Sequence, residues 1–173
     1  VINRKFDTPT INFKEEQEYF AIKTAELDVE INKKPFRVHF KEKDGTVIHQ
    51  DLGVYKHKTD ERTYIIKKAK SLEGARYYGF GERSGFTTKK NGEAMRNWNK
   101  DAYGYSEHTD NLYSTIPFFI ETNGKFFNGV FFDNSYQSYF NIEKYVEDEY
   151  FFGATDGEMD YYFIHGNDSK EVV

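Results

Sequence analysis

Apolar and polar residues alternate with a period of two over much of the first third of the chain. Residues 27–31 alternate aliphatic with acidic side chains, and residues 36–40 alternate apolar with basic ones, ahead of Asp44-Gly45 and Val47-Ile48. Because successive side chains of a strand point to opposite faces of a sheet, each run predicts a strand with one solvent-facing side. The Asp-Gly pair predicts a hairpin turn between the second run and the next strand.

The second half of the chain is more densely apolar. Residues 116–121 and 126–132 flank Asn123-Gly124, a strong hairpin signal, and both arms are apolar at consecutive positions. Such arms are typical of strands covered on both faces. Further short strands are predicted at residues 64–66, 77–80, 135–142, 150–152 and 159–164. Many short strands joined by Gly, Asp and Asn turns, without long helical periodicity, predict an all-β antiparallel sandwich or barrel.

Residues 81–113 interrupt this pattern with a long polar segment that lacks alternation. The segment contains Trp98, the only tryptophan, together with amides, Asp101 and several tyrosines. Long loops in compact domains are usually functional or disordered, and the aromatic content argues against disorder. Flat apolar rings suit the C–H faces of a pyranose, and fixed acceptors suit its hydroxyls. The segment is therefore a candidate sugar-binding surface.

Composition narrows the class of protein. A length of 173 residues predicts a single domain over residues 1–173, and the absence of cysteine excludes disulfides and cysteine metal sites. The net charge of -5 comes from interspersed charges, so no nucleic-acid partner is predicted, and no apolar run is long enough to predict a membrane span. Neither end carries a start or closing signal, so we expect a piece of a longer protein. Its compartment is unknown, with the cytoplasm marginally favoured.

Motifs for cofactors, metals and nucleophiles do not stand out in the sequence. Gly79-Phe80-Gly81-Glu82 lacks the third glycine of a dinucleotide fingerprint, and it predicts a strand that ends in a backbone bend. The five histidines have no spacing that suits a metal site, and the serines have no nucleophile-elbow context. No cofactor is therefore predicted.

Acidic residues remain as candidate chemistry, because the hydrolysis of a glycoside needs two carboxyl groups. The sequence fixes no such pair. Asp133-Asn134 follows a buried strand and is interpreted as a turn cap, and residues 147–149 as a solvated turn. Asp101 has two open interpretations. It either makes a local Asx turn or accepts hydrogen bonds from sugar hydroxyls beside Trp98.

Five segments in this order carry a resemblance to a known family. They are YYGFGER (77–83), NWNKD (97–101), LYSTIPFF (112–119), NGVFFDN (128–134) and MDYYFIHG (159–166). Together they resemble the N-terminal β-sandwich domain of glycoside hydrolase family 31, which includes α-glucosidases and α-xylosidases. The resemblance runs from about Ala75 to the C-terminus, and the earlier residues are compatible with it as a strand-rich run.

The resemblance implies a galactose-mutarotase-like antiparallel sandwich that precedes a (β/α)8 catalytic barrel. In that family the nucleophilic and acid/base aspartates lie in the barrel, so no catalytic residue is expected here and the chain alone should be inactive. A loop of the family's sandwich reaches the active site, and its sugar-contacting aspartate matches Asp101 by position. Trp98 and Asn99 match the residues before it, and Tyr103 and Tyr113 are expected in or beside the same loop.

The resemblance therefore implies the non-catalytic N-terminal domain of a retaining α-glucosidase, with the barrel and an α-glucoside oligosaccharide as its partners. An α-xylosidase is the alternative parent, because the sugar is decided largely in the barrel. A free-standing carbohydrate-binding module that uses Trp98 is a second interpretation. A mutarotase-like enzyme on the same fold is a third, although no histidine–glutamate constellation stands out.

Overall fold

The computed structural model describes residues 9–59 and 63–173, and it confirms the predicted all-β antiparallel sandwich. The strands are β1 (Asn12–Glu15), β2 (Tyr19–Lys23), β3 (Leu27–Asn32), β4 (Arg37–Glu42), β5 (Val47–Lys58), β6 (Thr63–Lys70), β7 (Arg76–Gly79), β8 (Glu93–Asn97), β9 (Phe118–Thr122), β10 (Phe127–Phe132), β11 (Ser138–Ile142), β12 (Glu149–Ala154) and β13 (Tyr161–Gly166), followed by helix α1 (Ser169–Val172). No helix within the described ranges is long and apolar enough to cross a membrane.

Two sheets contain these strands. Over the described ranges, the larger sheet has nine strands in the order β1-β2-β3-β4-β5-β6-β12-β11-β8, and the smaller has four in the order β13-β10-β9-β7. By compactness the chain divides into two units, with the boundary between Gly53 and Val54 inside β5. The organisation as a single domain stays a prediction.

The first unit, up to Gly53, is a meander in which each strand from β1 to β5 pairs antiparallel with the next. The two alternating runs form β3 and β4, and Gly45 takes a φ of 91° in the predicted hairpin turn between β4 and β5. Glu30 and Lys41 form a cross-strand ion pair of 2.8 Å. No residue of β1–β4 is fully buried in this part of the structure. Backbone ladders and cross-strand pairs therefore stabilise the meander more than core packing does.

The second unit, from Val54 onward, contains an aromatic core between the two sheets. Phe119 on β9 lies at its centre, with its ring centroid 5.1 Å from that of Phe80 and 5.7 Å from that of Tyr150. Phe140 on β11 and Phe152 on β12 contact the same ring at 6.1 Å. Rings of this size bury large apolar areas and favour edge-to-face pairs, which explains much of the high aromatic content.

The Asn123-Gly124 hairpin is confirmed as the turn between β9 and β10, with Gly124 at a φ of 87°. The inward-facing side chains of both strands are fully buried. The outward side chains Phe118 and Ile120 are only half-buried, and α1 covers Gly129, where a Cβ atom would lie 2.6 Å from Val172 Cγ1. The predicted coverage of both faces is therefore correct for the inner face and only partly correct for the outer one.

Gly79, Phe80 and Gly81 form the predicted bend, with three consecutive positive φ angles of 110°, 71° and 82°. Phe80 is fully buried in the aromatic core, which offsets the cost of its left-handed backbone. A Cβ atom at Gly81 would lie 2.5 Å from the backbone nitrogen of Ile116. The bend therefore brings the chain directly against the segment that precedes β9.

Strand β8 corrects the interpretation of residues 81–113 as a continuous irregular loop. It pairs with β11 over five residues, from Glu93 with Ile142 to Asn97 with Ser138. The inward positions of β8 are Met95 and Asn97, both buried. Because one of these two buried residues is polar, the sequence of β8 shows no alternation of apolar and polar residues.

Glu121 on β9 places a carboxyl group inside the core, with 1% of its surface exposed. Its Oε1 accepts a hydrogen bond of 2.8 Å from the Tyr77 hydroxyl and a long one of 3.4 Å from the backbone N–H of Leu72. Burial raises the pKa of Glu121 to about 7, while hydrogen bonds from Tyr77, Leu72 and Asn128 oppose the rise. This carboxyl group therefore titrates near neutral pH.

Candidate substrate-contacting loop

Residues 98–117, which connect β8 to β9, form the Trp98 loop. The loop is closed at its base by side-chain and backbone contacts between its two ends. Asn99 Oδ1 accepts hydrogen bonds from the backbone N–H of Thr115 at 2.9 Å and from its hydroxyl at 2.7 Å. The backbone N–H of Lys100 donates to the carbonyl of Leu112 at 2.9 Å. The segment is thus a compact surface loop with adjacent ends.

Buried residues fix the backbone on both sides of Asp101. Lys100 is held by Leu112, which is 3% exposed, and Ala102 is 7% exposed. The Tyr113 hydroxyl donates to the carbonyl of Ala102 at 3.0 Å. Asp101 therefore lies between two anchored neighbours.

The Asp101 side chain is exposed, and its carboxylate forms no hydrogen bond or ion pair with any other residue that the structure describes. An Asx turn would require a nearby backbone N–H to donate to this carboxylate. The described residues therefore form no Asx turn at Asp101. The carboxylate is left with all of its acceptor capacity.

Asp110, on the same loop, has the opposite environment. Its carboxylate accepts hydrogen bonds from the backbone N–H of Arg96 at 3.1 and 3.2 Å and from Arg83 Nη1 at 2.9 Å. The Arg83 side chain is 6% exposed, donates to the carbonyls of Asp110 and Arg96, and contacts Asn97 Oδ1. Burial lowers the pKa of Arg83, and the negative charge of Asp110 opposes this. Arg83 thus ties the end of the loop to β8, a role that its place in the YYGFGER motif did not reveal.

The Trp98 cleft, with a volume of about 450 Å³, opens beside the base of this loop. Two of the predicted site residues, Trp98 and Asn99, line it, and Tyr136 lines it as well. Trp98 and Tyr136 are each 51% exposed. The cleft thus combines aromatic surface with amide groups, as sugar sites do.

The other three predicted site residues lie on the Trp98 loop but not among the residues that line the cleft. Tyr103 is fully exposed, and Asp101 is exposed two residues before it. Tyr113 is 47% exposed and makes an edge-on contact of 6.4 Å with the ring of Tyr105. The structure therefore brings Trp98 and Asn99 together in the cleft and presents Asp101 and Tyr103 to solvent.

Two cleft residues were missed by the sequence interpretation. Asn97 is 4% exposed, and its Nδ2 is buried without an acceptor among the described residues. Asp133 lines the cleft with an exposed side chain. The predicted turn cap is made by Asn134, whose Oδ1 accepts from the backbone N–H of Tyr136 at 2.8 Å. The position of Asn97 directly before Trp98 is the sequence signal that could have identified Asn97 as a cleft residue.

Comparison with known families shows to which family this chain belongs. The model of the family described as "Glycosyl hydrolase 31 N-terminal galactose mutarotase-like domain" matches residues 2–141. The chain belongs to this family. The match includes the N-terminal strands, which the sequence motifs had left as merely compatible. The resemblance inferred from the five motifs is thereby confirmed.

Curated relatives of the domain differ in activity. Alpha-glucosidase 2 of Bacillus thermoamyloliquefaciens is 33% identical over 160 residues, which are 92% of this chain and 20% of that protein. Alpha-xylosidase XylQ of Lactiplantibacillus pentosus is 29% identical over 174 residues, covering 95% of this chain and 21% of that protein. The chain thus spans about a fifth of the length of these relatives.

Solved structures also match this chain over about a fifth of their own length. A dextranase of glycoside hydrolase family 31 from Flavobacterium johnsoniae, determined with isomaltotriose, is 32% identical and superimposes with a TM-score of 0.83. The match covers 94% of this chain and 19% of that one. The glucosidase II alpha subunit, at 15% identity and a TM-score of 0.76, shares the fold.

Proposed function

We propose that this chain is the non-catalytic N-terminal domain of a retaining α-glucosidase, which packs on the catalytic barrel of the full-length enzyme. Family membership and the α-glucosidase relative, about five times longer than the matched region, support this assignment. In this proposal both catalytic aspartates lie in the barrel, outside the 173 residues. The chain alone then hydrolyses no substrate.

The observation that carries the proposal is the free carboxylate of Asp101 on an anchored loop. An ionised carboxylate that accepts hydrogen bonds from sugar hydroxyls makes charge-assisted bonds, which are stronger than neutral ones. Because Lys100 and Ala102 are already fixed, little backbone entropy is lost when the sugar binds. In this proposal the barrel covers Asp101 in the full-length enzyme, and an acceptor buried in this way penalises sugars that lack the matching hydroxyl.

The remaining predicted residues support this role in different ways. Asn99 closes the base of the loop through Thr115, and Tyr113 holds the carbonyl of Ala102. Trp98 supplies an exposed ring at the mouth of the cleft, and Tyr103 supplies one beside Asp101. We assign Trp98 and Tyr103 to contact with substrate or barrel, and Asn99 and Tyr113 to the shape of the loop.

Steady-state kinetics of Asp101→Ala in the full-length enzyme test this function. Loss of a hydrogen bond to a charged group costs about 1.5–3 kcal/mol, so kcat/KM should fall about 10- to 160-fold. Asp101→Asn keeps one acceptor oxygen and should lose less. The thermal midpoint should stay unchanged, because the carboxylate contacts no other described residue.

Glu107→Ala is the matched control, since Glu107 is an exposed acid on the same loop. Its kcat/KM should equal that of the wild type. If the Asp101 and Glu107 variants have equal kcat/KM, Asp101 does not contact the substrate.

An α-xylosidase is the alternative parent, favoured by the match to XylQ over 95% of the chain. Hydrolysis of p-nitrophenyl α-glucoside and α-xyloside by the full-length enzyme separates the two. A higher kcat/KM for the xyloside would overturn the α-glucosidase assignment and leave the role of the domain intact.

A free-standing carbohydrate-binding module is the second candidate function, favoured by the exposed rings of Trp98 and Tyr136 in one cleft. Titration of the isolated chain with maltose, followed by Trp98 fluorescence, distinguishes this module from the N-terminal domain of a larger enzyme. The domain proposal predicts no saturable change, because the loop supplies only part of a site. A saturable change would favour the module.

A further inference from the structure

The Trp98 loop has two arms that are hydrogen-bonded to each other. The first arm, residues 99–102, bears Asp101, and the second arm, residues 109–116, leads back to β9. Every hydrogen bond that the structure describes for the first arm goes to the second arm, such as the bond of 2.9 Å from the N–H of Lys100 to the carbonyl of Leu112. The placement of the exposed Asp101 carboxylate therefore depends on where the second arm is held.

Residues 81–84, which follow the bend, hold the second arm along its length. The backbone N–H of Glu82 donates to the carbonyl of Ser114 at 3.0 Å. The Ser84 hydroxyl donates to the carbonyl of Thr109 at 2.6 Å. The second arm is therefore supported by a segment that comes before β8 in the chain.

The Arg83 guanidinium joins the second arm to both the bend and β8. Its Nη1 donates to the carbonyl of Asp110 at 2.6 Å and to the carboxylate of the same residue at 2.9 Å. Nη1 also donates to the carbonyl of Arg96 at 2.9 Å, Nε donates to that of Phe80 at 3.3 Å, and Nη2 contacts Asn97 Oδ1. A guanidinium presents its donors in a rigid planar fork, which an ammonium group lacks. One side chain thus sets three segments relative to one another.

The carboxylate of Asp110 balances the charge of a guanidinium that is largely removed from water. The Arg83 side chain is 6% exposed, whereas that of Asp110 is 41% exposed. Because a buried cation is stable only when it is paired and hydrogen-bonded, removal of either partner weakens the link. Changes at Arg83 and at Asp110 therefore loosen the second arm independently of each other.

We propose that Arg83 is a positioning residue of the substrate site, which sets the placement of the Asp101 carboxylate through the second arm. Arg83 itself touches no sugar. The inference rests on the proposed function, because it takes Asp101 as the group that binds the substrate. A misplacement of about 1 Å can lower the rate on the order of 100-fold, so the link at Arg83 has a direct effect on kcat/KM.

Kinetics of the full-length enzyme in two backgrounds test the proposal. Arg83→Lys keeps the charge but not the fork, and it should lower kcat/KM at least about fivefold when Asp101 is present. In the Asp101→Ala background the same change should lower kcat/KM by less than about twofold, because the group that Arg83 positions is already gone. A general loss of folded enzyme would instead lower kcat/KM by the same factor in both backgrounds.

Arg76→Lys is the matched control, since Arg76 is an exposed arginine on β7. Its kcat/KM should stay within about twofold of the parent value in both backgrounds. Asp110→Asn, which removes the charge but keeps the size of the side chain, should reproduce the dependence on Asp101 and provides the same test if Arg83→Lys does not fold.

Hydrogen exchange at residues 99–102 of the full-length enzyme gives a readout that does not depend on the sugar. It should speed up in Arg83→Lys and in Asp110→Asn but not in Arg76→Lys. The proposal is overturned if this exchange stays at the wild-type rate, if both variants keep the wild-type kcat/KM, or if their losses are equal in the two backgrounds. These three outcomes leave the role of Asp101 standing, whereas an unchanged kcat/KM in Asp101→Ala would overturn the proposed function and this inference with it.

Discussion

Two aspartates on the Trp98 loop have the same side chain in different surroundings. The surroundings indicate which of the two carboxylates is available to bind a ligand. Asp110 is held by Arg83 and by the backbone of Arg96, so its carboxylate is used inside the fold. Asp101 has no such partner in the described chain. Both residues are acids in a polar segment, so residue type alone could not separate them. The sequence pointed to Asp101 only through its place after Trp98 in the NWNKD motif.

Glu121 gives a pH-dependent contribution to stability. Its folded-state pKa of about 7 lies above the ordinary value of 4.5, so the folded state binds more protons between these two values. The contribution is therefore fully present below about pH 4.5 and is lost as the pH rises through about 7. A difference of this size corresponds to about 3 kcal/mol. Glu121→Gln, which cannot ionise, should lack this dependence.

Urea denaturation of the chain at pH 4.5 and at pH 8 measures the effect. The free energy of unfolding of the wild type should fall relative to that of Glu121→Gln between the two pH values. Glu158→Gln, which changes an exposed acid, should follow the wild type. A wild type and a Glu121→Gln variant with parallel pH profiles would contradict the buried titration.

At the scale of elements, the sequence predicted those strands whose signals are local. The Asn123-Gly124 turn and the alternation of residues 27–31 led directly to the β9–β10 hairpin and to β3. Strand β8 was missed because its buried position Asn97 is polar and is satisfied in part by Arg83, fourteen residues earlier in the chain. Such a contact forms only in the folded chain, so the pattern within a segment as short as a strand does not reveal it.

The bend at residues 79–81 gives a prediction at the same scale. Gly81→Ala meets both a positive φ of 82° and the backbone of Ile116 at 2.5 Å. Gly74→Ala is the matched control, because Gly74 has a φ of 70° and no atom within 4 Å of an added Cβ. The control should lose about 1 kcal/mol for the left-handed backbone alone. Gly81→Ala should lose at least about 2 kcal/mol, since the Trp98 loop must also shift.

Thermal unfolding of both variants measures this difference. Hydrogen exchange at residues 98–117 should speed up only in Gly81→Ala, because only that residue touches the end of the loop. Equal losses of stability in the two variants would show that the close approach to Ile116 has no energetic weight.

At the scale of the whole molecule, the family could be recognised from five short segments, and the matched region then extended to residue 2. The activity of the longer protein could not be predicted in the same way. Relatives that share this domain include an α-glucosidase and an α-xylosidase, and each is about five times longer than the match. The sandwich therefore identifies the family to which the domain belongs, and it does not by itself identify the sugar.

In the proposed function, Asp101 accepts a hydrogen bond from a particular hydroxyl of the bound sugar. The most direct measurement compares kcat/KM of the full-length wild type and of Asp101→Ala on p-nitrophenyl α-glucoside and its monodeoxy analogues, as a double-mutant cycle. We predict that one deoxy position lowers kcat/KM at least tenfold in the wild type and by less than about twofold in Asp101→Ala, because the partner of that hydroxyl is already gone. Equal losses in both enzymes at every deoxy position would contradict the account.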